Sequence, residues 1–439
     1  MEAALKHEIS AFKYDACVIG TGRVGLPLAL SLIGAGYNVV GLDRDEKLRA
    51  LINSGVMPFR EDGFEELISG RRLHVEAASD VVAQSRAVII TVGTPLHAHI
   101  ETDLSQINSV LQAITPQLRK GQLICLRSTV APNTTRYVSR WVEGHTDLRI
   151  GTDIGLAMCP ERLAEGKARE EIGSLPQIIG VEDSYSRALA QAVFERVGCE
   201  LLYTDYVSAE LVKLFNNAAR YIQFAVSNQF AIICDSLGVE IHKVRELANY
   251  KYPRSHIASP GFTAGTCLRK DFGMINEWSP YPDLLLSAWK VNEFMPAFLV
   301  QHMLRHIALH GQNVAILGYS FKADTDDVRD SLAPKLLRYI QRELPEVVRI
   351  SDHCLPDPLP GDGGENLRNW PEEEALDGVD CVFIATNHSG YRELLLSLAR
   401  KSPQVWIADI WNVGGLNKIF YMSKELLHKA DLPKAVGIA

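Results

Sequence analysis

A chain of 439 residues exceeds what one hydrophobic core supports, so two or three domains are expected. Hydrophobic content of 47% with 22% charged residues is that of a globular protein, and a formal net charge of -8 argues against a nucleic-acid partner or a polybasic membrane surface. No apolar run approaches the roughly 20 residues that span a bilayer, so a cytoplasmic protein outside the membrane is expected. Eight cysteines stand singly, without CxxC or paired Cys/His spacing, and neither a disulfide framework nor a metal site is expected.

The first clear element is the apolar run YDACVIG at 14–20, which turns through GTGRVG into the helical pattern LPLALSLIGAG. Gly20 permits the tight turn, Gly22 lets a pyrophosphate approach the backbone, and Gly25 lets helix and strand pack closely. Arg23 and Val24 belong to the same candidate cofactor turn. A second strand, NVVGLD, ends at Asp43, where a carboxylate accepts a ribose hydroxyl. Asp43 repels the 2′-phosphate that neighbouring Arg44 could accept, so NAD is favoured over NADP. A glycine turn with no ligand is the bland alternative.

Alternation of strand and helix continues through residues 86–95, 103–118, 122–132 and 153–161, which implies a parallel sheet. Thr94, Thr129 and Glu161 fall beyond strand C-termini, where such sheets collect function, although ordinary capping explains Thr129 equally well. From 205 to about 238 the periodicity is that of one long helix, with Asp205 or Ser208 as its cap and Gly238 as its end. Lys213 and Asn217 share one face of it. A solvated lysine is the usual reading of such a position, but the neighbours are apolar. Asn216, Asn217 and Asn228 also need partners to sit in a stable helix.

A second helical stretch covers about 282–310. The intervening run PGFTAGTCLRKD, residues 260–271, surrounds Cys267 with small residues, including Gly265, and leaves the sulfur approachable. Arg269 and Lys270 stand close enough in sequence to lower a thiol pKa. A buried structural cysteine is the competing reading. A fresh α/β segment then begins near 313, with a helix over 332–344, further strands over 347–352, 380–387 and 404–409, and a loop over 356–366. Its first turn lacks GxGxxG. The expected architecture is α/β: two Rossmann-like parallel-sheet domains, 1–204 and 311–439, joined by a central helical domain, 205–310.

The motifs GTGRVGLP, TVGTP, STVAPNTT, CPERLAEG, AELVKLFNN, GTCLRKD and GYSFKADTDDVRDS appear in this order, and together they resemble the UDP-glucose/GDP-mannose dehydrogenase family over roughly residues 15–413. The resemblance implies a four-electron oxidation of a nucleotide-sugar C6 alcohol to a carboxylate, with NAD used twice at one site and Cys267 as nucleophile. Lys213 and Asn217 match the groups that stabilise developing oxyanions. Asp271 matches an acid for proton transfer, Glu161 and Thr129 match residues that hold water, and Glu165 matches a further acid near the cofactor and substrate. Lys322 matches a substrate contact, Arg329 a cofactor contact, and Arg254 an arginine that completes the sugar site, often from the other subunit of a homodimer.

Three positions depart from the family pattern: Ala264 replaces a glycine, Arg269 a proline and Gln229 a glutamate. The first two flank the nucleophile and bear on which sugar is bound. A nucleotide-sugar sensor without turnover and a two-electron dehydrogenase are the competing functions. Both lack a need for Cys267, Lys213, Asn217 and Asp271 together.

Overall fold

The computed structural model describes residues 12–96 and 102–430, with the side chains of Thr266, Cys267, Lys429 and Ala430 outside the described set. Two compact units divide the chain, one comprising the residues up to Asn216 with Gly273–Ser279, the other Asn217–Phe272 with the residues from Pro280 on.

The first unit is built on β1 (Tyr14–Ile19), β2 (Val39–Leu42), β3 (His74–Glu76), β4 (Ser85–Ile90), β5 (Leu123–Leu126), β6 (Gly155–Met158), β7 (Gln177–Gly180) and β8 (Leu201–Thr204). They form one sheet in the order β3-β2-β1-β4-β5-β6-β7-β8. Ala16 and Val18 enter one apolar core while Cys17 and Ile19 enter another, so the sheet is covered on both faces. That is why its strands read as continuous apolar runs. The order reverses between β1 and β4, the crevice where such sheets hold nucleotides. The sheet departs from the expected all-parallel arrangement at one edge: β7 joins β6 antiparallel at Met158 and Gly180, and β8 pairs parallel with β7, so these two strands run opposite to the rest.

The helix Tyr206–Ser236 is 31 residues long, as its periodicity predicts. Asp205 accepts the Ser208 N–H at 2.9 Å and starts it, and Gly238, at φ +68°, lets the chain leave it. The unpredicted helix Thr266–Trp278 puts the backbone of Cys267 on a first helical turn rather than in a loop. The next helix, Asp283–Met303, stops short of the expected end near 310.

In the second unit β9 (Asn313–Leu317), β10 (Val347–Ser351), β11 (Leu359–Pro360), β12 (Asn366–Leu367), β13 (Cys381–Ile384), β14 (Trp406–Ala408) and β15 (Phe420–Met422) follow. The larger sheet has the order β10-β9-β13-β14-β15, parallel except for β15. The segment expected as loop carries the small antiparallel pair β11 and β12. Val314 and Ile316 face one core, Ala315 and Leu317 the other. Among the described residues no helix is long and apolar enough to cross a membrane.

Candidate active site

At the end of β1 Gly20 takes φ +89°, and its N–H reaches the Leu42 carbonyl at 2.8 Å. A Cβ on Gly25 would lie 1.9 Å from the Gly20 oxygen, so this position requires glycine. Among the described residues nothing stands within 4 Å of such an atom on Gly22, which leaves open the approach that a pyrophosphate needs. Thr91 Oγ1 donates to the carbonyls of Ile19 and Gly20 and fixes the turn. Asp43 does more than await a ribose: one oxygen accepts the Thr21 N–H at 2.6 Å and the other the Asp45 N–H at 3.0 Å. The residues present therefore fit a dinucleotide at this turn. Exposed Arg44 stands beside it, and Val24 is 39% exposed.

Arg23 pairs with Glu165 at 2.6 Å, joining the glycine turn to the loop after β6. Buried acids order that loop. Glu61 accepts the N–H groups of Gly166 and Ala168 at 2.9 and 3.0 Å, and Glu161 accepts those of Arg162 and Leu163 at 2.7 and 2.8 Å. The other Glu161 oxygen meets the buried Arg127 guanidinium at 2.5 Å, and Arg127 also donates to Gln177 at 2.8 Å. A carboxylate engaged by a guanidinium and two backbone donors is a rigid anchor. Thr94, also buried, donates to the Thr129 carbonyl and sets the path of the STVAPNTT segment.

The same segment is gripped from the long helix. Glu210 accepts from the N–H of Asn133 and of Thr135, both at 2.7 Å, and from Thr135 Oγ1 at 2.6 Å. It thereby caps the helix Thr134–His145 with a side chain from elsewhere in the chain. Burial pushes the Glu210 carboxyl above the ordinary range, and the three hydrogen bonds oppose that rise. Half-buried Lys213 stands one turn further along the long helix.

In the second unit Asn217 Nδ2 donates to Asp271 Oδ2 at 2.6 Å, with both residues buried. Lys270 Nζ lies 3.9 Å from the other Asp271 oxygen. Asp271 is four residues, one helical turn, beyond Cys267. The small residues before the cysteine have specific tasks. A Cβ on Gly261 would fall 2.3 Å from the Trp411 ring, and one on Gly265, at φ +92°, 2.6 Å from the Phe321 ring. Asn228 accepts the Gly261 N–H at 2.9 Å and donates to Asn292, which in turn donates to the Tyr221 carbonyl. The asparagines at 217 and 228 thus have the partners their helical position demands.

Arg269 turns toward Glu293 and Asp330, at 3.8 and 3.5 Å, and the Gly265 N–H reaches the Asp330 carbonyl at 3.2 Å. Arg329 pairs with Asp327, and the Lys322 carbonyl accepts from Ser320 and Thr325 in the loop after β9. Arg254 is exposed, its guanidinium 4.9 Å from the centre of the Tyr252 ring. Exposed Gln229 has no structural account here. Within the first unit the structure brings together the glycine turn, Asp43, Arg23 and Glu165, and Thr94 with Thr129. Within the second it brings together Asn217 and Asp271. Sequence reasoning missed Glu61, Arg127, Glu210 and Asn292, because each acts on a partner distant in sequence.

A doubly wound nucleotide crevice, a long helix presenting amide and amine, and a second sheet unit define a nucleotide-linked dehydrogenase. The chain belongs to the UDP-glucose/GDP-mannose dehydrogenase family: it matches the NAD binding domain over residues 14–198, the central domain over 207–293 and the UDP binding domain over 315–415. It is an NAD-dependent nucleotide-sugar dehydrogenase of that family. Among its relatives is the UDP-N-acetyl-D-mannosamine dehydrogenase of Methanococcus maripaludis, 30% identical over 86% of this chain and 87% of the relative. That of Pyrococcus horikoshii is 31% identical over 86% and 90%. A solved structure of the Pyrococcus horikoshii enzyme superposes with a TM-score of 0.79 at 30% identity, covering 88% of this chain and 92% of that one.

Proposed function

We propose that the chain oxidises the C6 alcohol of a UDP-N-acetylhexosamine, with N-acetylmannosamine the first candidate, to the uronate in two successive two-electron steps. The observation that carries this reading is the buried Asn217 to Asp271 hydrogen bond, which sets an amide and an acid beside the helical turn that bears Cys267. The relatives named for UDP-N-acetyl-D-mannosamine support the choice of sugar. On this reading residues 1–204 hold NAD, 205–310 carry the reacting groups, and 311–439 hold the nucleotide.

The Gly20, Gly22 and Gly25 turn would hold NAD, which would supply the hydride acceptor for each oxidation. Gly20, Gly22, Arg23, Val24, Gly25, Asp43, Thr94, Thr129 and Glu165 would line its site, and Arg329 is the cofactor contact that the family pattern would add. After the first oxidation the Cys267 thiolate adds to the aldehyde carbon, forming a C–S bond and an oxyanion. Lys213 and Asn217 stabilise the oxyanion, a contribution of about 10²–10³ in rate per donor. Loss of the second hydride from the thiohemiacetal leaves a thioester. Water then breaks the C–S bond, giving carboxylate and thiol, with Asp271 taking the proton. Glu161 and Thr129 order the loops that hold that water, and Arg254, Gly265 and Lys322 complete the sugar and diphosphate contacts. A working thiol is best kept reduced, which fits a cytoplasmic protein.

Counting NADH per sugar consumed tests the reading. The expected ratio is two for the native chain, with no uronate from Cys267→Ala. A ratio of one makes the chain a two-electron dehydrogenase, and binding without NADH makes it a sensor. A panel of UDP-N-acetylmannosamine, UDP-glucose and GDP-mannose identifies the sugar.

A further inference from the structure

Three loops at the C-terminal edge of β9, β10 and β13 bring Asp324, His353, Cys354 and His388 together, and one ligand atom from each lies within 4.8 Å of all the others. We propose that these four side chains bind a zinc-class transition-metal ion. Nothing in the oxidation mechanism uses them. The donor set of a thiolate, two imidazoles and a carboxylate is that of zinc, and it is unsuited to calcium or magnesium, which select oxygen ligands.

The distances are close to those a tetrahedral ion imposes. Zinc bonds of about 2.0–2.3 Å set ligand atoms roughly 3.3–3.8 Å apart. His388 Nδ1 already stands 3.6 Å from Cys354 Sγ and 3.8 Å from Asp324 Oδ1. Asp324 and His353 lie at the surface, and the largest separation in the cluster, 4.8 Å, exceeds the tetrahedral spacing by only about 1 Å.

The surroundings are also those of a metal centre. A carboxylate that fixes one ring nitrogen leaves the other for the metal and sets the ring's orientation. Here Asp352 holds His388 Nε2 at 3.0 Å, and Glu372 holds His353 Nδ1 at 2.8 Å. Ser320 Oγ reaches His388 Nε2 at 3.1 Å, and Ser389 donates through its N–H and Oγ to the Asp324 carboxylate at 2.9 and 2.7 Å. His388 Nδ1 accepts the Asp324 N–H at 2.9 Å, and an ion replaces that bond with a metal–nitrogen bond. Because the ligands come from three loops, with only His353 and Cys354 adjacent, no Cys/His spacing announced them. An ion here ties together the loops at the crevice of the second sheet.

The test is metal analysis of the full chain purified from zinc-supplemented culture and dialysed without chelator, beside Cys354→Ser and His353→Gln. One zinc per native chain, lost from both variants, is expected. Cobalt substitution gives a second measurement: a thiolate-to-cobalt charge-transfer band that is absent from Cys354→Ser but retained in Cys267→Ala. Glu372→Gln keeps the ligands and is expected to weaken zinc binding about 10- to 100-fold. A native chain with neither zinc nor the cobalt band, or zinc retained equally by Cys354→Ser, overturns the proposal. None of these readouts depends on turnover, so they stand apart from the test of the oxidation.

Discussion

Asn217 Nδ2 donates to Asp271 Oδ2 across 2.6 Å, although the residues stand 54 positions apart. The bond fixes the amide toward the acid. On the proposed mechanism Asn217→Ala removes an oxyanion donor, and kcat is expected to fall by about 10²–10³ with a smaller change in KM. It also strips a hydrogen bond from a buried acid, at about 1–3 kcal/mol of stability. Steady-state kinetics and thermal unfolding of the same preparation separate the two effects. An unchanged kcat removes Asn217 from the chemistry.

Asp43 is bonded to the glycine turn itself, so its substitution has two consequences that different variants resolve. Asp43→Asn keeps an acceptor for the Thr21 N–H and loses the charge that repels a 2′-phosphate. Asp43→Ala loses both. The alanine variant is expected to weaken NAD binding by on the order of tenfold to hundredfold, and both variants to narrow the preference for NAD over NADP. Titration by cofactor fluorescence measures each constant. A native chain that prefers NADP would show that Arg44 governs the choice.

His242 gives the fold an acid sensitivity. Its Nε2 contacts the Ile410 carbonyl at 3.1 Å, and its Nδ1 is buried with no hydrogen-bond partner among the described residues. Burial, reinforced by Arg245, depresses the imidazole from 6.5 to about 4. The unfolded chain therefore binds the proton more readily, so stability is full above about pH 6.5 and falls as pH drops toward 4. The total is about 3 kcal/mol. His242→Gln preserves the donor to Ile410 and removes the titration. Unfolding midpoints at pH 7.5 and 4.5 are expected to differ less in this variant than in the native chain, and equal differences refute the assignment.

What the sequence disclosed follows from range. The glycine turn and Asp43 were legible because strand, turn, helix and second strand fall within about 30 residues, and their chemistry is fixed by backbone geometry. The long helix was legible by period. Arg127 with Glu161 and Glu61 with Gly166 were not, since these bonds join residues 34 and 105 positions apart. Short strands such as β3 and β8 escaped because three or four residues carry too little alternation. The turn of Cys267 read as loop because glycine and proline precede it, whereas the helix begins at Thr266.

The last prediction concerns assembly. On the long helix Leu214, Tyr221 and Ala225 are buried within the chain, while Val226, Phe230 and Ile233, with Leu237 just past the helix end, are 38–72% exposed. Their spacing of four, three and four residues draws one apolar stripe along the helix. Such a stripe is stable in water when covered, and two-fold pairing with the same stripe of a second copy covers it without exposing a new edge. A homodimer is therefore expected, and Phe230→Lys combined with Ile233→Lys is expected to give monomers by light scattering at micromolar concentration. A monomeric native chain with full activity rules the pairing out. Exposed Arg254 lies in the segment between the helix Ile241–Asn249 and the turn before Cys267. Mixing inactive Arg254→Ala chains with inactive Cys267→Ala chains is expected to restore activity to about a quarter of the native rate per site under random pairing, because one site in each mixed dimer has both native residues. No recovery after subunit exchange, with mixed dimers confirmed by mass, places the arginine in its own subunit's site.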